Sequence, residues 1–182
     1  MNQFIFALFF FIPAFVANGM AALSQKIPII KEWSTPIDFG KNFKGKRIFG
    51  KNKTIRGFFV GTLFGFLSGF LQFWLIQRGI ANTDFTVYVS LESTLKLSAL
   101  MSFGALFGDL VKSFFKRRFN IPPGDPWLPF DWLDYFFGAS IFSLLVTNPG
   151  IKTYLILLFI VPLVSLVCNI ISKEIGLKKR HV

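Results

Sequence analysis

The stretch GDLVKSFFKRRFNIPPGDPWLPFDWLD, from Gly108 to Asp134, places acidic, basic and hydroxyl side chains between strongly apolar segments. The whole chain has nine Asp and Glu residues, and four of them fall in this stretch. Charged side chains are costly at membrane depth and are usually kept there for function. The stretch therefore indicates a functional site at the end of a group of membrane helices.

Long apolar segments extend through the chain on both sides of this stretch. Of the 182 residues, 53% are hydrophobic and 26 are Phe. Segments of this length cross about 30 Å of hydrocarbon as helices. We predict an all-α membrane protein, a single domain over residues 1–182 that forms a bundle of about five transmembrane helices. The predicted helices are 3–23, 57–77, 93–117, 130–147 and 152–172, with a kink at Pro13 and a packed, unreactive Cys168.

Basic residues are sorted by side of the membrane. The segment 24–56 holds nine Lys and Arg residues against two acids, and further basic clusters follow the third and fifth predicted helices. Because basic loops stay in the cytoplasm, we predict an outside N-terminus, a cytoplasmic C-terminus and two functional cytoplasmic loops, 24–56 and 118–130. This sorting explains the net charge of +11 better than nucleic acid binding does. His181 falls in the basic tail and is predicted to be exposed.

Glycines recur at every fourth position in two predicted helices. They are Gly57, Gly61, Gly65 and Gly69 in the second helix, and Gly104 and Gly108 in the third. A helix face without side chains allows a neighbouring helix to approach closely. This spacing predicts a tight bundle and carries no information about chemistry.

Four polar residues of the third helix share one stripe. Asp109, Lys112, Ser113 and Lys116 stand at positions i, i+3, i+4 and i+7. A simpler interpretation is an Asp109–Lys112 ion pair, with the basic residues that follow serving only to anchor the helix end. It explains Asp109 and Ser113 poorly.

Two further acids stand near the start of the fourth predicted helix. Asp131 and Asp134 are three residues apart and share a helix face. Together with Asp109 they provide the oxygen ligands that a hard divalent cation prefers, so we predict a Mg²⁺ site on these three carboxylates. The alternative for Asp131 is an N-cap or first-turn acid favoured by the helix dipole.

The first cytoplasmic loop ends in a glycine-rich and basic sequence before the second helix. Residues 45–51 match most of a P-loop pattern, but Asn52 stands where Ser or Thr is required and no buried strand precedes the loop, so we reject a P-loop. Backbone and side-chain donors of Asn52, Lys53, Thr54 and Arg56 are nevertheless suited to phosphate oxygens. The alternative is a basic loop that rests on anionic lipid.

Taken together, the predicted site has carboxylates for Mg²⁺ and two basic patches beside apolar helices. This combination predicts two substrates, a nucleotide from water and a phosphate-bearing lipid from the bilayer.

Three motifs in this order resemble a known enzyme family. They are Asn52-Lys53-Thr54-x-x-Gly57, then Gly108-Asp109-Leu110-x-x-Ser113-x-x-Lys116-Arg117, and after a Pro-rich loop Asp131-x-x-Asp134. The pattern resembles the cytidylyltransferases that make CDP-activated lipids. The chain length resembles the short branch, the CDP-archaeol synthases, more than the longer bacterial CDP-diacylglycerol synthases. Trp132 departs from the pattern, which has Gln or Arg at this position.

The resemblance implies transfer of CMP from CTP to a membrane lipid phosphate, with release of pyrophosphate, in phospholipid biosynthesis at the cell membrane. The lipid would be 2,3-bis-O-geranylgeranyl-glycerol 1-phosphate or a similar phosphatidate, and the ether or ester choice stays open. We assign catalytic roles to Asp109, Lys116, Asp131 and Asp134, with Mg²⁺ on the three aspartates. Substrate-binding roles are assigned to Asn52, Lys53, Thr54, Arg56, Lys112, Ser113 and Arg117.

Two other classes of protein remain as alternatives. A small transporter or channel would place its polar groups near the bilayer midplane, whereas these residues gather at one predicted face. A non-catalytic membrane scaffold would use the glycine faces for partners and leaves the three aspartates unexplained. The sequence does not define the oligomeric state.

Overall fold

The computed structural model describes residues 2–81 and 86–174, with the backbone alone for 172–174. These residues form helices and one small hairpin, so the predicted all-helical architecture is confirmed apart from four residues in two short strands. The elements are α1 (Gln3–Phe10), α2 (Ile12–Leu23), β1 (Asn42–Phe43), β2 (Lys46–Arg47), α3 (Ile55–Gln77), α4 (Leu91–Arg118), α5 (Phe130–Ser143) and α6 (Ile151–Glu174). His181 and the basic residues 178–180 lie outside the described residues.

Helices α3, α4 and α6 are each long and apolar enough to cross a membrane. The pair α1 and α2 makes a fourth crossing if the two are taken as one bent span. Helix α5 has 14 residues and is therefore about 21 Å long, shorter than the hydrocarbon core. The described residues thus give three to four candidate spans, and a count of five stays a prediction.

The first predicted helix is broken rather than continuous. Helix α1 ends at Phe10 and α2 begins at Ile12, with an angle of 44° between the two axes. Pro13 lies in the first turn of α2, where its missing N–H is not needed and its fixed φ is suited to a helix start. The predicted kink is present, but the break lies at Phe11, two residues before Pro13, and divides the segment into two helices. Gln72 on α3 donates from Nε2 to the Phe9 carbonyl oxygen over 2.6 Å, which satisfies a carbonyl beside the break.

The glycines mark the places where helix backbones touch, as the spacing predicts. A Cβ atom on Gly65 of α3 would meet Ser102 of α4 and the Pro13 carbonyl of α2. On the other side of α4, Gly104 faces Gly138 of α5, and Gly108 faces the Asp134 carbonyl. The contact between α4 and α5 is therefore close enough to bring polar side chains of the two helices together.

Aromatic side chains form the core beside this contact. Phe11, at the break, lies 6.2 Å from Tyr135 and 6.0 Å from Phe136 between ring centroids. Phe11 is fully buried, and the two α5 residues are nearly so. Since Tyr135 follows Asp134 directly, the core fixes the position of the α5 carboxylates.

We expect Gly138→Ala to destabilise the bundle by about 1–3 kcal/mol, because the added methyl group meets the Gly104 backbone, which has no room to move. Thermal unfolding in detergent measures the effect. Gly19→Ala is the matched control, since a Cβ atom there meets nothing within 4 Å. It should be neutral or stabilising by about 0.5–1 kcal/mol, because Ala is the better helix former. Equal melting temperatures for the two variants would contradict the close α4–α5 contact.

Candidate active site

The long segment between α2 and α3 is folded around one buried carboxylate, Asp38. Its oxygens accept hydrogen bonds from the backbone N–H groups of Gly40 (3.1 Å), Phe49 (3.0 Å) and Gly50 (2.9 Å). The guanidinium of Arg47, in strand β2, donates to both oxygens through Nε and Nη2. The hairpin turn places Lys44 and Gly45 at positive φ, as a two-residue turn of this kind requires. The segment is thus a small ordered unit and not a flexible connector.

Burial by itself raises the pKa of the Asp38 carboxyl. The hydrogen bonds from Arg47 and from the three backbone N–H groups outweigh it and hold that pKa well below its ordinary value of 3.8. Because the folded pKa is lower than the unfolded one, the carboxylate stabilises the unit at every pH above about 4. This stabilisation is lost as the pH falls from the unfolded value toward the folded one.

Arg118, the last residue of α4, ties this unit to the helix bundle. Its guanidinium lies 4.5 Å from the Phe114 ring centroid and 5.4 Å from that of Phe43 in β1. Nη2 donates to the carbonyl oxygens of Lys46 (3.2 Å) and Arg47 (2.5 Å), and Lys46 Nζ donates in return to the Arg118 carbonyl over 3.0 Å. The end of the loop, at Asn52 to Thr54, is therefore held beside the cytoplasmic end predicted for α4.

Three aspartates and three lysines meet where this unit faces α4 and α5. Lys112 Nζ lies 3.1 Å from Asp109, 3.1 Å from Asp131 and 2.6 Å from Asp134. Its side chain is 13% exposed, and that of Asp134 is 5% exposed. The predicted stripe on α4 and the predicted pair on α5 are thus joined at one nitrogen atom.

The two remaining lysines complete the cluster from opposite sides. Lys53, from the loop, lies 2.5 Å from Asp109, and Lys116 lies 2.9 Å from Asp131. Asp131 also accepts a hydrogen bond from the Trp127 backbone N–H over 2.6 Å, which fixes the Pro-rich loop. Of the alternative offered for Asp131, the first-turn position is confirmed and the N-cap position is wrong, because Pro129 is the N-cap of α5.

All the residues to which the sequence analysis assigns catalytic or substrate-binding roles line one cavity of about 840 Å³. They are Asn52, Lys53, Thr54, Arg56, Asp109, Lys112, Ser113, Lys116, Arg117, Asp131 and Asp134. The sequence spacing connects the residues within each helix, but only the fold brings the loop residues against them. Their assembly in one space is the main structural support for a shared role.

The residues that line the cavity differ in the hydrogen bonds that they already make within the protein. Thr54 is the N-cap of α3, and its Oγ1 accepts from the Gly57 N–H over 3.1 Å. Arg56 is buried and donates to the carbonyls of Ile30 and Lys31, so it holds the first part of the loop in place. Nε is buried without a partner among the described residues in both Arg56 and Arg117. Because Nη1 of Arg56 is already held by two loop carbonyls, Arg117 is the more available guanidinium for an incoming anion.

Sequence reasoning missed the walls that α2 and α6 contribute. Asn18 of α2, Gln25 in the 3-10 turn that follows α2, and Ser165, Cys168 and Asn169 of α6 also line the cavity. They are isolated polar residues within or just beside apolar spans, so no spacing marks them. Cys168 is exposed on the cavity side, and its prediction as a packed residue was wrong.

Trp132 does not line the cavity, although it stands between the two α5 aspartates in sequence. Its carbonyl oxygen is 3.4 Å from Ser165 Oγ, and its Nε1 is buried without a partner in the described part of the chain. The departure from the family pattern at this position therefore lies outside the polar lining of the cavity.

The carboxylate oxygens are the correct donor type for a hard divalent cation, and three of them converge. Among the residues described, however, no group of three His, Cys, Asp or Glu side chains is arranged as a metal site by itself. Lysine nitrogens stand among the oxygens instead. The donor chemistry is therefore suited to Mg²⁺ provided that the lysines give way, and the metal site stays a prediction.

A charged cavity walled by apolar helices, with more cations than carboxylates in its lining, is the arrangement of a membrane-embedded enzyme that acts on phosphate-bearing substrates. Comparison with known proteins agrees with this class. The sequence profile of the CarS-like CDP-archaeol synthases matches residues 1–181. The chain belongs to the CDP-archaeol synthase family, and its resemblance to that family is confirmed.

Relatives and a solved structure match over nearly the whole chain. The CDP-archaeol synthase of Pyrococcus horikoshii is 37% identical over 180 residues, which cover 98% of this chain and 97% of the relative. That of Methanosarcina mazei is 39% identical and covers 92% and 98%. The solved structure of an intramembrane enzyme for archaeal membrane lipid biosynthesis superimposes with a TM-score of 0.72 at 28% identity, over 91% of this chain and 94% of that one.

Family membership decides between the classes left open by the sequence. The protein is a CTP-dependent cytidylyltransferase of lipid biosynthesis, acting on a lipid phosphate in the membrane. The prediction of an enzyme is thereby confirmed over a transporter or a scaffold. The roles of individual residues stay predictions.

We expect Asp38→Asn to loosen the loop unit by about 2 kcal/mol, because a charged acceptor of several buried hydrogen bonds is lost. Limited trypsin digestion at pH 7 measures this, since the segment is rich in Lys and Arg. Glu32→Gln is the matched control, because the Glu32 side chain is 88% exposed and pairs only at 3.8 Å with Lys31. Equal cleavage rates for the two variants would show that Asp38 does not organise the loop.

Proposed function

We propose that this protein transfers CMP from CTP to an isoprenoid glycerol phosphate or a similar phosphatidate and releases pyrophosphate. The observation that carries the proposal is the convergence of three aspartates and three lysines in one cavity, beneath a basic loop. A volume of about 840 Å³ is within the usual range for a site that binds a nucleotide-sized ligand.

Apolar space beside the polar cavity supports a lipid co-substrate. A second cavity of about 350 Å³ is lined by Ile55, Phe59, Thr62 and three residues that also line the polar cavity. The shared residues are Ile37, Phe58 and Leu110. A lipid with its phosphate in the polar space and part of a chain in the apolar space would satisfy both surfaces.

In the proposed reaction, an oxygen of the lipid phosphate attacks the α-phosphorus of CTP. The bond from the α-phosphorus to the bridging oxygen of the β-phosphate breaks, and pyrophosphate leaves with the electron pair. The lipid phosphate is already ionised near neutral pH, so no strong general base is required. Rate enhancement then rests on alignment of the two phosphates and on neutralisation of developing charge.

The residues of the cavity have different roles in the proposed reaction. Lys116 and Arg117 neutralise the leaving pyrophosphate, and Asn52 with Lys53 binds nucleotide phosphates or ribose. Ser113, which is buried in the wall, donates to a phosphate oxygen. Asp109, Asp131 and Asp134 would hold Mg²⁺, which when bound supplies charge neutralisation at the phosphates.

Two assignments are adjusted by local contacts. Thr54 already caps α3, so its contribution is to set the direction of Lys53. Arg56 donates to loop carbonyls, so its assignment to the lipid phosphate requires it to leave them.

We propose an outside N-terminus and a cytoplasmic C-terminus in the cell membrane. The cavity then faces the cytoplasm, because the basic loop lines one side of it.

We expect the double variant Asp131→Asn/Asp134→Asn to lose turnover by at least about 10³-fold, since it removes two of the three carboxylates that face the phosphates. Pyrophosphate release from CTP with Mg²⁺ is the assay. Glu92→Gln is the control, because Glu92 is an exposed acid at the start of α4 and should retain wild-type rates. Full activity in a folded double variant would contradict the assignment.

Offering each lipid separately tests the substrate class. The purified protein is incubated in detergent with labelled CTP and either 2,3-bis-O-geranylgeranyl-glycerol 1-phosphate or phosphatidic acid. We expect formation of a labelled CDP-lipid with the ether lipid, because relatives over nearly the whole chain are CDP-archaeol synthases. Product with the ester lipid alone would overturn the ether preference, and no product with either would overturn the proposed reaction.

A further inference from the structure

Lys112 holds a position that the proposed cation would need. Its ammonium lies within 3.1 Å of oxygens from all three aspartates, on two different helices. A bound Mg²⁺ requires oxygen ligands at about 2.0–2.1 Å, so the ion and the ammonium cannot share this point. Lys112 is therefore a resident cation that binding of the metal must displace.

The net charge of the cluster determines when displacement of the Lys112 ammonium by a metal ion is favourable. Lys53, Lys112 and Lys116 balance the three aspartates, so the cluster is neutral as it stands. Adding a divalent cation alone would leave two uncompensated positive charges in a poorly hydrated site. Adding the cation together with a polyphosphate supplies the missing negative charge and gives the displaced ammonium a partner in the same cavity.

We infer that Lys112 is a positioning residue that occupies the cation position in the nucleotide-free enzyme and thereby makes divalent-cation binding depend on the nucleotide. The inference rests on the proposed role of the aspartates as metal ligands. Lys112 keeps the three carboxylates convergent before substrate arrives. It also prevents a metal ion from filling the site without CTP.

The test measures metal binding in the absence of nucleotide. Full-length protein in detergent is titrated with Mn²⁺, and free Mn²⁺ is followed by its electron paramagnetic resonance signal. We expect Lys112→Met to bind Mn²⁺ at least about tenfold more tightly than the wild type, because the competing charge about 3 Å from each carboxylate is gone. Lys112→Arg retains the charge and should bind as weakly as the wild type.

Lys51→Met is the charge-matched control. Lys51 lines the same cavity and is exposed, so its loss removes one positive charge without opening the carboxylates. Its Mn²⁺ affinity should stay within about twofold of the wild type, because an exposed charge is well screened. Tighter binding by Lys51→Met equal to that of Lys112→Met would reduce the effect to net charge and overturn the inference.

A second readout follows from thermodynamic linkage. If Lys112 couples the two ligands, Mn²⁺ raises the affinity for labelled CTP in the wild type more than in Lys112→Met. Should Lys112→Met not fold, Lys112→Gln provides the uncharged comparison. Mn²⁺ should then raise the melting temperature of the nucleotide-free variant more than that of the wild type.

The outcomes separate this inference from the proposed function. Equal Mn²⁺ affinities in the wild type and the uncharged variant, with an active wild type, overturn the inference and leave the proposed function intact. A wild type that neither binds Mn²⁺ in the presence of CTP nor releases pyrophosphate overturns both. Tight, nucleotide-independent Mn²⁺ binding by the wild type overturns the inference alone.

Discussion

Mutual neutralisation of three aspartates and three lysines is the constraint on which the site and the packing around it depend. Taking a charged side chain out of water costs several kcal/mol unless a partner of opposite sign lies at contact distance. The six side chains of the cluster are largely buried, so each of them requires such a partner. That condition is met by Lys53, Lys112 and Lys116, which come from the loop and from two turns of α4. The loop is therefore part of the site's charge balance and not merely a cover over it.

The contact between α4 and α5 makes this neutralisation geometrically possible. Gly104 and Gly108 on one helix meet Gly138 and the Asp134 carbonyl on the other, with no side chains between the backbones. Only at that separation can one ammonium on α4 reach carboxylates on both helices. Packing and electrostatics are thus linked, since a side chain inserted at the glycines would also separate the charges.

Sequence spacing predicts the parts of the site that lie on a single helix. Asp109, Lys112 and Lys116 share a face because of the helical repeat, and the motif predicts their common role. The Lys53–Asp109 pair is 56 residues apart in sequence, so no local period marks it. Asp38 was overlooked because most of its partners are backbone N–H groups, which carry no sequence signal. The helix break was misplaced by two residues because Pro13 is favoured inside the first turn of a new helix, so the interruption precedes it.

Buried ion pairs seldom give the most stable arrangement for a protein interior, since apolar side chains of similar size often pack there with equal or better stability. The bundle already has an aromatic core at Phe11, Tyr135 and Phe136 directly beside the charged cluster, and that core could have extended into the same space. A cluster that stability alone does not require is instead suited to exchange of partners. In the proposed reaction, lysine–aspartate pairs would give way to lysine–phosphate and aspartate–metal pairs, so that each of these charges keeps a partner of opposite sign. The same six residues would then neutralise one another in the empty cavity and contact a nucleotide and its cation in the filled one.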